Sequence, residues 1–182
     1  MAAAALMTAD EFARMATGET EDYELVEGEL VPMPSGNPMH GEIRGRIEFL
    51  IRGYLQQHRI GRVIAEVDCQ LATHSVRRPD LSIFLGRQSK SFDPNRIPVP
   101  FAPDIAVEVL SPSESAMDVN MKVLAYIAAG TEEVWVVDTA TSEIFIRRQA
   151  TISLLRGEQS LESPLLPGFS VPVSDLLATD FQ

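Results

Sequence analysis

The chain has little of several things that would place it in a class at once. It holds one cysteine, Cys69, in 182 residues. No internal disulfide can form, which suits a reducing cytoplasm and sets aside the stapled secreted domains. Cys69 sits in an alternating, strand-like run, where a thiol is expected to pack rather than react. No apolar run approaches the ~20 residues that cross a bilayer, so no membrane partner is expected. The opening "MAAAALMTAD" is apolar but short, with no basic segment ahead of it, and does not read as a signal peptide. Repeats and low-complexity linkers are also missing. A single domain over residues 1–182, with one sizeable core, is the expectation. At 45% hydrophobic and 23% charged residues, the composition is that of an ordinary soluble globular protein.

Positive charge is scarce as well. The net charge is −11, which argues at first against a polyanionic partner. Its distribution is uneven. Residues 1–31 carry eight acids and one Arg, residues 32–104 ten bases and seven acids, and residues 105–182 eleven acids and four bases. The basic surface therefore belongs to the middle third: Arg44, Arg46, Arg52, Arg59, Arg62, Arg77, Arg78, Arg87, Lys90 and Arg96. On charge alone this is a solvated face. Lys90 and Lys122 are the only lysines, which makes the place of Lys122 worth following.

What is present reads as a mixed chain. Thr8 with Glu11 is a capping box that opens a short helix. "YELVEGELVPM" alternates on both sides of Glu27-Gly28 and predicts a hairpin. "PSGNP" is a loop. Ile43, Ile47, Leu50, Ile51, Tyr54 and Leu55 form one stripe of a helix over 39–58. "RVIAEVDCQLA" and "RPDLSIFLG" read as two strands about a turn at "THSV", and "SFDPNRIPVPFAP" as a surface loop. The strand "DIAVEVL", a helix over 116–129 stopped by Gly130, and the apolar strand "EVWVVD" make a crossover unit with parallel pairing. "EIFIRR" and "ISLLR" continue as a meander, and the tail is loop with a last turn of helix. The fold class is α/β (mixed α+β), a mixed sheet with helices packed on it.

Three residues stand out for chemistry. In "DIAVEVL", Ile105, Val107 and Val109 point to one face, and Ala106, Glu108 and Leu110 to the other. A carboxylate among such neighbours is costly unless something positive or hydrogen-bonding meets it. Asp80 follows Pro79 at the head of "DLSIF". If its strand pairs with that of Glu108, the two carboxylates share a face, and opposed positions lie about 4.5–5.5 Å apart at Cβ. Like charges so close repel. A divalent cation resolves the conflict, and Mg²⁺ takes such oxygen ligands together with water and phosphate. Lys122 follows Glu108 by fourteen residues, in the next helix, with Tyr126 one turn on. An ammonium there would meet a phosphate or orient an attacking water. Taken singly, Asp after Pro is a turn residue, a strand Glu an edge residue, and a helix Lys a solvated one; together, in this order, they form a constellation.

The segments "YELVEGELV", "RRPDLSIF", "APDIAVEVLSPSES", "KVLAYIAAGTEEVWVVD" and "LPGFSVPVSDLL" resemble the bacterial Uma-type endonucleases of the PD-(D/E)XK, restriction endonuclease-like superfamily. The resemblance spans roughly residues 8–178. It implies a restriction endonuclease-like core: a mixed central sheet flanked by helices, an N-terminal hairpin and a C-terminal strand meander. It implies that Asp80, Glu108 and the backbone carbonyl of Val109 bind Mg²⁺ or Mn²⁺. The superfamily's lysine belongs where this chain has Leu110, and the resemblance moves that role to Lys122 on the following helix. An acid early in the long helix often completes such sites, and Glu42 or Glu48 would serve. His40 matches a position typical of the family, either as a ligand or as a capping and structural residue. His58 and His74 have no constellation about them. Ser111 and Ser113 lack the elbow of a serine nucleophile, and a plain turn accounts for them.

Three functions follow. The first is a Mg²⁺-dependent phosphodiesterase acting on nucleic acid, DNA above all, as a homodimer whose two sites cut both strands. A second is a nuclease fold kept for binding or assembly, favoured by Leu110 and by the acidity of the chain. The third is a small-molecule hydrolase using the same metal site.

Overall fold

The computed structural model describes residues 5–15, 23–34, 36–111 and 114–178. In chain order the elements are α1 (Ala9–Arg14), β1 (Tyr23–Val26), β2 (Glu29–Pro32), α2 (Pro38–His58), β3 (Gly61–Ala65), β4 (Cys69–Ala72), β5 (Ser75–Arg77), β6 (Leu81–Leu85), α3 (Gly86–Ser91), β7 (Ile105–Val109), α4 (Ala116–Ala128), β8 (Glu133–Asp138), β9 (Glu143–Arg147), β10 (Ile152–Arg156), β11 (Ser160–Glu162), β12 (Ser170–Pro172) and α5 (Val173–Leu176).

Local chemistry explains most boundaries. Thr8 and Glu11 cap α1 reciprocally, as their spacing predicts. Glu27 and Gly28 both take positive φ, 50° and 86°, the pair of conformations that lets a two-residue turn follow the twist of β1 and β2. At the head of α2, Asn37 accepts from the His40 N–H at 2.9 Å, and Pro38 occupies the first turn, where no donor is missed. Its buried stripe is Ile43, Ile47, Ile51 and Leu55, with Leu50 and Tyr54 half-buried beside it. Gly130, at φ 100°, follows the end of α4.

Six strands form the central sheet in the order β10-β9-β8-β7-β6-β3. Only β7 and β8 are parallel, and α4 makes the crossover between them. Ile105, Val107 and Val109 join Trp135, Val137 and the α2 stripe in the main core. On the opposite face, Ala106, Val134 and Val136 pack on Val119, Val123 and Tyr126 of α4. A four-stranded sheet, β2-β1-β5-β4, stands apart from the six-stranded one. No described helix is long and apolar enough to cross a membrane.

Several elements differ from the sequence reading. The run 62–72 is not one strand: β3 belongs to the six-stranded sheet and β4 to the four-stranded one. Glu66, at φ 49°, breaks the pleat between them. Residues 86–91 form α3 ahead of the Pro-rich loop, and the tail pairs β11 with β12 before α5. On α4 the apolar residues Met117, Met121 and Leu124 are exposed, and the inward face is Val119, Val123 and Tyr126. Ser113 lies outside the described residues. Cys69 is fully buried, and burial pushes its thiol up to about 12, so it packs as an inert residue.

The packing yields a first prediction. Ile47→Ala opens the fully buried contact between α2 and the sheet and is expected to cost about 2–5 kcal/mol. Phe49→Ala, 76% exposed on the same helix, is expected to cost less than about 0.5 kcal/mol. Urea midpoints of the two variants, at unchanged slope, check this.

Candidate active site

The site is assembled by the register of β6 on β7. Leu81 pairs with Val107, Ser82 with Ala106 and Ile83 with Ile105. One step further along this antiparallel ladder, Asp80 comes opposite Glu108. The Val109 N–H donates to Asp80 Oδ2 at 2.6 Å. In a strand the N–H and C=O of one residue leave by the same edge, so the Val109 carbonyl also faces the Asp80 side. His40, in the first turn of α2, places Nε2 3.0 Å from Asp80 Oδ1.

Glu108 is buried and faces α4. Tyr126 donates its hydroxyl to Glu108 Oε1 at 2.6 Å. Lys122 Nζ lies 3.6 Å from Glu108 Oε2 and donates to Glu114 Oε1 at 2.9 Å. Burial pushes the Glu108 carboxyl up to about 8; the nearby Asp80 and Glu24 carboxylates add to the rise, and Lys122 and Tyr126 oppose it. For Lys122, burial works against the charge, but the carboxylates of Glu108, Glu24 and Glu114 outweigh it and hold the ammonium above the usual lysine range. Burial, with Glu108 and Glu24, raises Tyr126 well above an ordinary phenol, so it remains a neutral donor. The hydrogen bond to Asp80 raises the His40 pKa, and burial opposes that rise.

The structure thus gathers Asp80, Glu108, Val109, Lys122, Tyr126 and His40. His40 does more than lie near the helix start, since its ring meets Asp80. Glu42 and Glu48 are met by arginines of their own helix: Glu42 lies 3.9 Å from Arg46, and Glu48 pairs with Arg52. Leu110 packs with the apolar patch under α4, and its N–H continues the ladder to Val137 at 2.9 Å. The Glu114 N–H donates to the Ser111 carbonyl at 3.0 Å, and the Glu114 carboxylate accepts from the Ser111 N–H at 3.0 Å. His58 and His74 are engaged with the backbone carbonyls of Tyr54 and Met7.

Glu24 and Glu114 escape the sequence reading, and Arg77, expected on a solvated basic face, is buried. Glu24 on β1 is buried and pairs with the equally buried Arg77 at 2.7 Å. Glu114 takes the first bond of Lys122. Neither Glu24 nor Arg77 carries a local signal, because their partnership crosses two strands of the smaller sheet. A cleft of about 1070 Å³ opens beside this group, between the β1–β2 hairpin and α4. Its charged lining is Glu24, Glu27, Glu114 and Asp118 against Arg77 and Lys122.

Among the described residues no three or more His, Cys, Asp or Glu side chains form a ready-made metal cage. The expected ligand set is smaller, two carboxylates and one backbone carbonyl. Hard oxygen donors of that kind suit Mg²⁺ or Mn²⁺ completed by water. A carboxyl that burial, with the nearby Asp80 and Glu24, holds against ionisation is also a place where added positive charge is favourable.

The family described as "Putative restriction endonuclease" (Uma2) matches residues 9–174. Among solved structures, the fold is similar to a crystal structure from Anabaena variabilis described as "a putative nuclease belonging to DUF820". The match has TM-score 0.82 and 24% identity, and covers 94% of this chain and 97% of that one. No curated protein matches the chain.

The raised Glu108 pKa predicts a pH dependence of folding in the presence of a chelator. The folded-state value, about 8, exceeds the ordinary 4.5 of the unfolded chain. The contribution to stability is therefore full below pH 4.5 and is lost as pH rises through about 8. Glu108→Gln does not titrate. Between pH 5 and 8 it is expected to gain on the wild type by on the order of a few kcal/mol. Denaturant titrations across this range check it, and parallel stability curves would contradict it.

Proposed function

Given that the chain belongs to the Uma2 family, we propose that it is a metal-dependent nuclease that hydrolyses phosphodiester bonds, with DNA as substrate. What carries the proposal is the meeting, at the end of β7, of two carboxylates from neighbouring strands with an ammonium from the next helix. Asp80, Glu108 and the Val109 carbonyl would hold Mg²⁺ or Mn²⁺. The bound ion would lower the pKa of water and stabilise charge on the phosphate. Asp80 is oriented for this by the Val109 N–H and by His40. Tyr126 fixes the rotamer of Glu108 through one oxygen and leaves the other toward Lys122. Lys122, held protonated by Glu108 and Glu114, positions the attacking water or meets a phosphate oxygen. That role needs no amine at position 110, where Leu110 sits in the apolar patch.

A second reading, a nuclease fold kept for binding, is favoured by one observation. Both carboxylates and the lysine are already bonded to protein groups, and the adjoining cleft carries more acids than bases. Calorimetry separates the two readings, because one Mn²⁺ per chain that is lost in Glu108→Gln speaks for the metal centre.

In a plasmid-nicking assay with Mg²⁺ or Mn²⁺, Asp80→Ala and Glu108→Ala are expected to lose on the order of 10²–10⁴-fold in rate. Lys122→Ala is expected to fall by roughly 10²-fold. Equal cleavage by all four proteins would remove the assignment. Two sites related by a two-fold axis suit cleavage of both strands, and light scattering at the monomer mass of 20.0 kDa alone would remove the homodimer.

A further inference from the structure

The site beside Glu108 is poorly equipped to hold a polyanion. Its cleft presents four carboxylates against two cations. A second cleft, of about 1100 Å³, has the opposite character. Arg52, Arg59, Arg62 and Lys90 line it, and among the described residues no Asp or Glu does. In a chain of net charge −11 this is a marked local excess.

The cations are arranged in two ways. Arg62 is held in place: its Nε donates to Ser89 Oγ at 3.2 Å, and its guanidinium stacks 4.8 Å above the Phe92 ring. Arg52 donates to the Val63 carbonyl at 3.2 Å while paired with Glu48. Arg59 and Lys90 are exposed and, among the described residues, make no ion pair or hydrogen bond through their side chains, so their charge is available to a ligand.

The cleft shares its framework with the catalytic end. Strand β6 starts beside Asp80 and ends at Leu85 in the cleft wall, about 17 Å away at ~3.3 Å per residue. Helix α2 carries His40 at one end and reaches Arg59 at the other, about 28 Å at 1.5 Å per residue. Duplex DNA presents a phosphate every ~3.4 Å along each strand, so these distances correspond to about five to eight base pairs.

We propose that this cleft, between the C-terminal end of α2 and the β3–β6 edge, is a phosphate-backbone anchor. It would bind the DNA duplex several base pairs from the Asp80–Glu108 site and supply the affinity which that acidic site lacks. The identity of the ligand rests on the nuclease reading; the basic cleft itself does not. The contacts are to phosphates and carry no base sequence, so the anchor positions the duplex without selecting a site.

The test is binding, separate from cleavage. A labelled 20-base-pair DNA duplex is titrated with the full chain in chelator over a series of salt concentrations. Arg59→Gln/Lys90→Gln is expected to weaken binding roughly 10- to 100-fold near 0.1 M salt and to reduce the salt slope by about 2. Arg14→Gln/Arg96→Gln removes the same charge from exposed positions outside the cleft and is expected to bind as the wild type does. Equal weakening in both doubles, or an unchanged slope in the first, would overturn the proposal. Polyglutamate bound as tightly as the duplex would also overturn it, by assigning the cleft to acidic protein. If the slope changes as expected but the wild type nicks no DNA with Mg²⁺ or Mn²⁺, the anchor stands and the nuclease reading falls. If nicking depends on Asp80 and Glu108 but the slope does not change, the reverse holds.

Discussion

One hydrogen bond, from the Val109 N–H to Asp80 Oδ2, holds the arrangement around which the rest is built. Val109 stands at the end of β7, where its N–H points away from β8 and toward a strand whose ladder is just beginning. An unmet donor there would be costly. Asp80 meets it with one oxygen and offers the other to His40. The same bond locks β6 against β7 in the register that sets Asp80 across from Glu108. A slip of one residue would exchange the faces of β6, turning Leu81 and Ile83 out of the main core and Ser82 into it. Core packing and site geometry are therefore enforced together.

Two buried glutamates on adjacent strands show what makes a carboxylate available for chemistry. Glu133 on β8 is 1% exposed and closed off: the Trp135 ring N–H bonds one oxygen at 2.8 Å and Arg148 the other at 2.7 Å. Both its oxygens are met, one by a full opposite charge, which is the structural solution to burying an acid. Glu108 is nearly as buried, but it faces a second acid across the sheet, and its cation sits at 3.6 Å with a shorter bond elsewhere. The difference lies in the partners rather than in the depth.

Much of this was legible in the sequence because it is local or periodic. The capping box of Thr8, the turn at Glu27-Gly28, the α2 stripe and the crossover from β7 through α4 to β8 follow from spacing alone. The alternation of residues 105–110 placed Glu108 on the face away from the main core, and the step to Lys122 and Tyr126 put both on the helix that covers that face. Other features depend on contacts between segments far apart in the chain. The Glu24–Arg77 pair joins β1 to β5, and no periodicity marks it. His40 reaches Asp80 only because α2 packs over the sheet with its first turn at that end. Glu66 carries a positive φ without being glycine, so "RVIAEVDCQLA" gave no sign that it divides between two sheets. On α4 the exposed Met117, Met121 and Leu124 follow the same helical spacing as the buried Val119, Val123 and Tyr126, so periodicity alone does not tell which face is inward.

Leu110 has a consequence of its own. With a leucine at that position, the strand bearing Glu108 does not also carry the amine, and the amine arrives on a separate element, α4. Carboxylates and ammonium are then joined only while α4 is seated through Val119, Val123 and Tyr126. The assembled group of carboxylates and ammonium is thereby a property of the finished tertiary structure and not of the sheet alone.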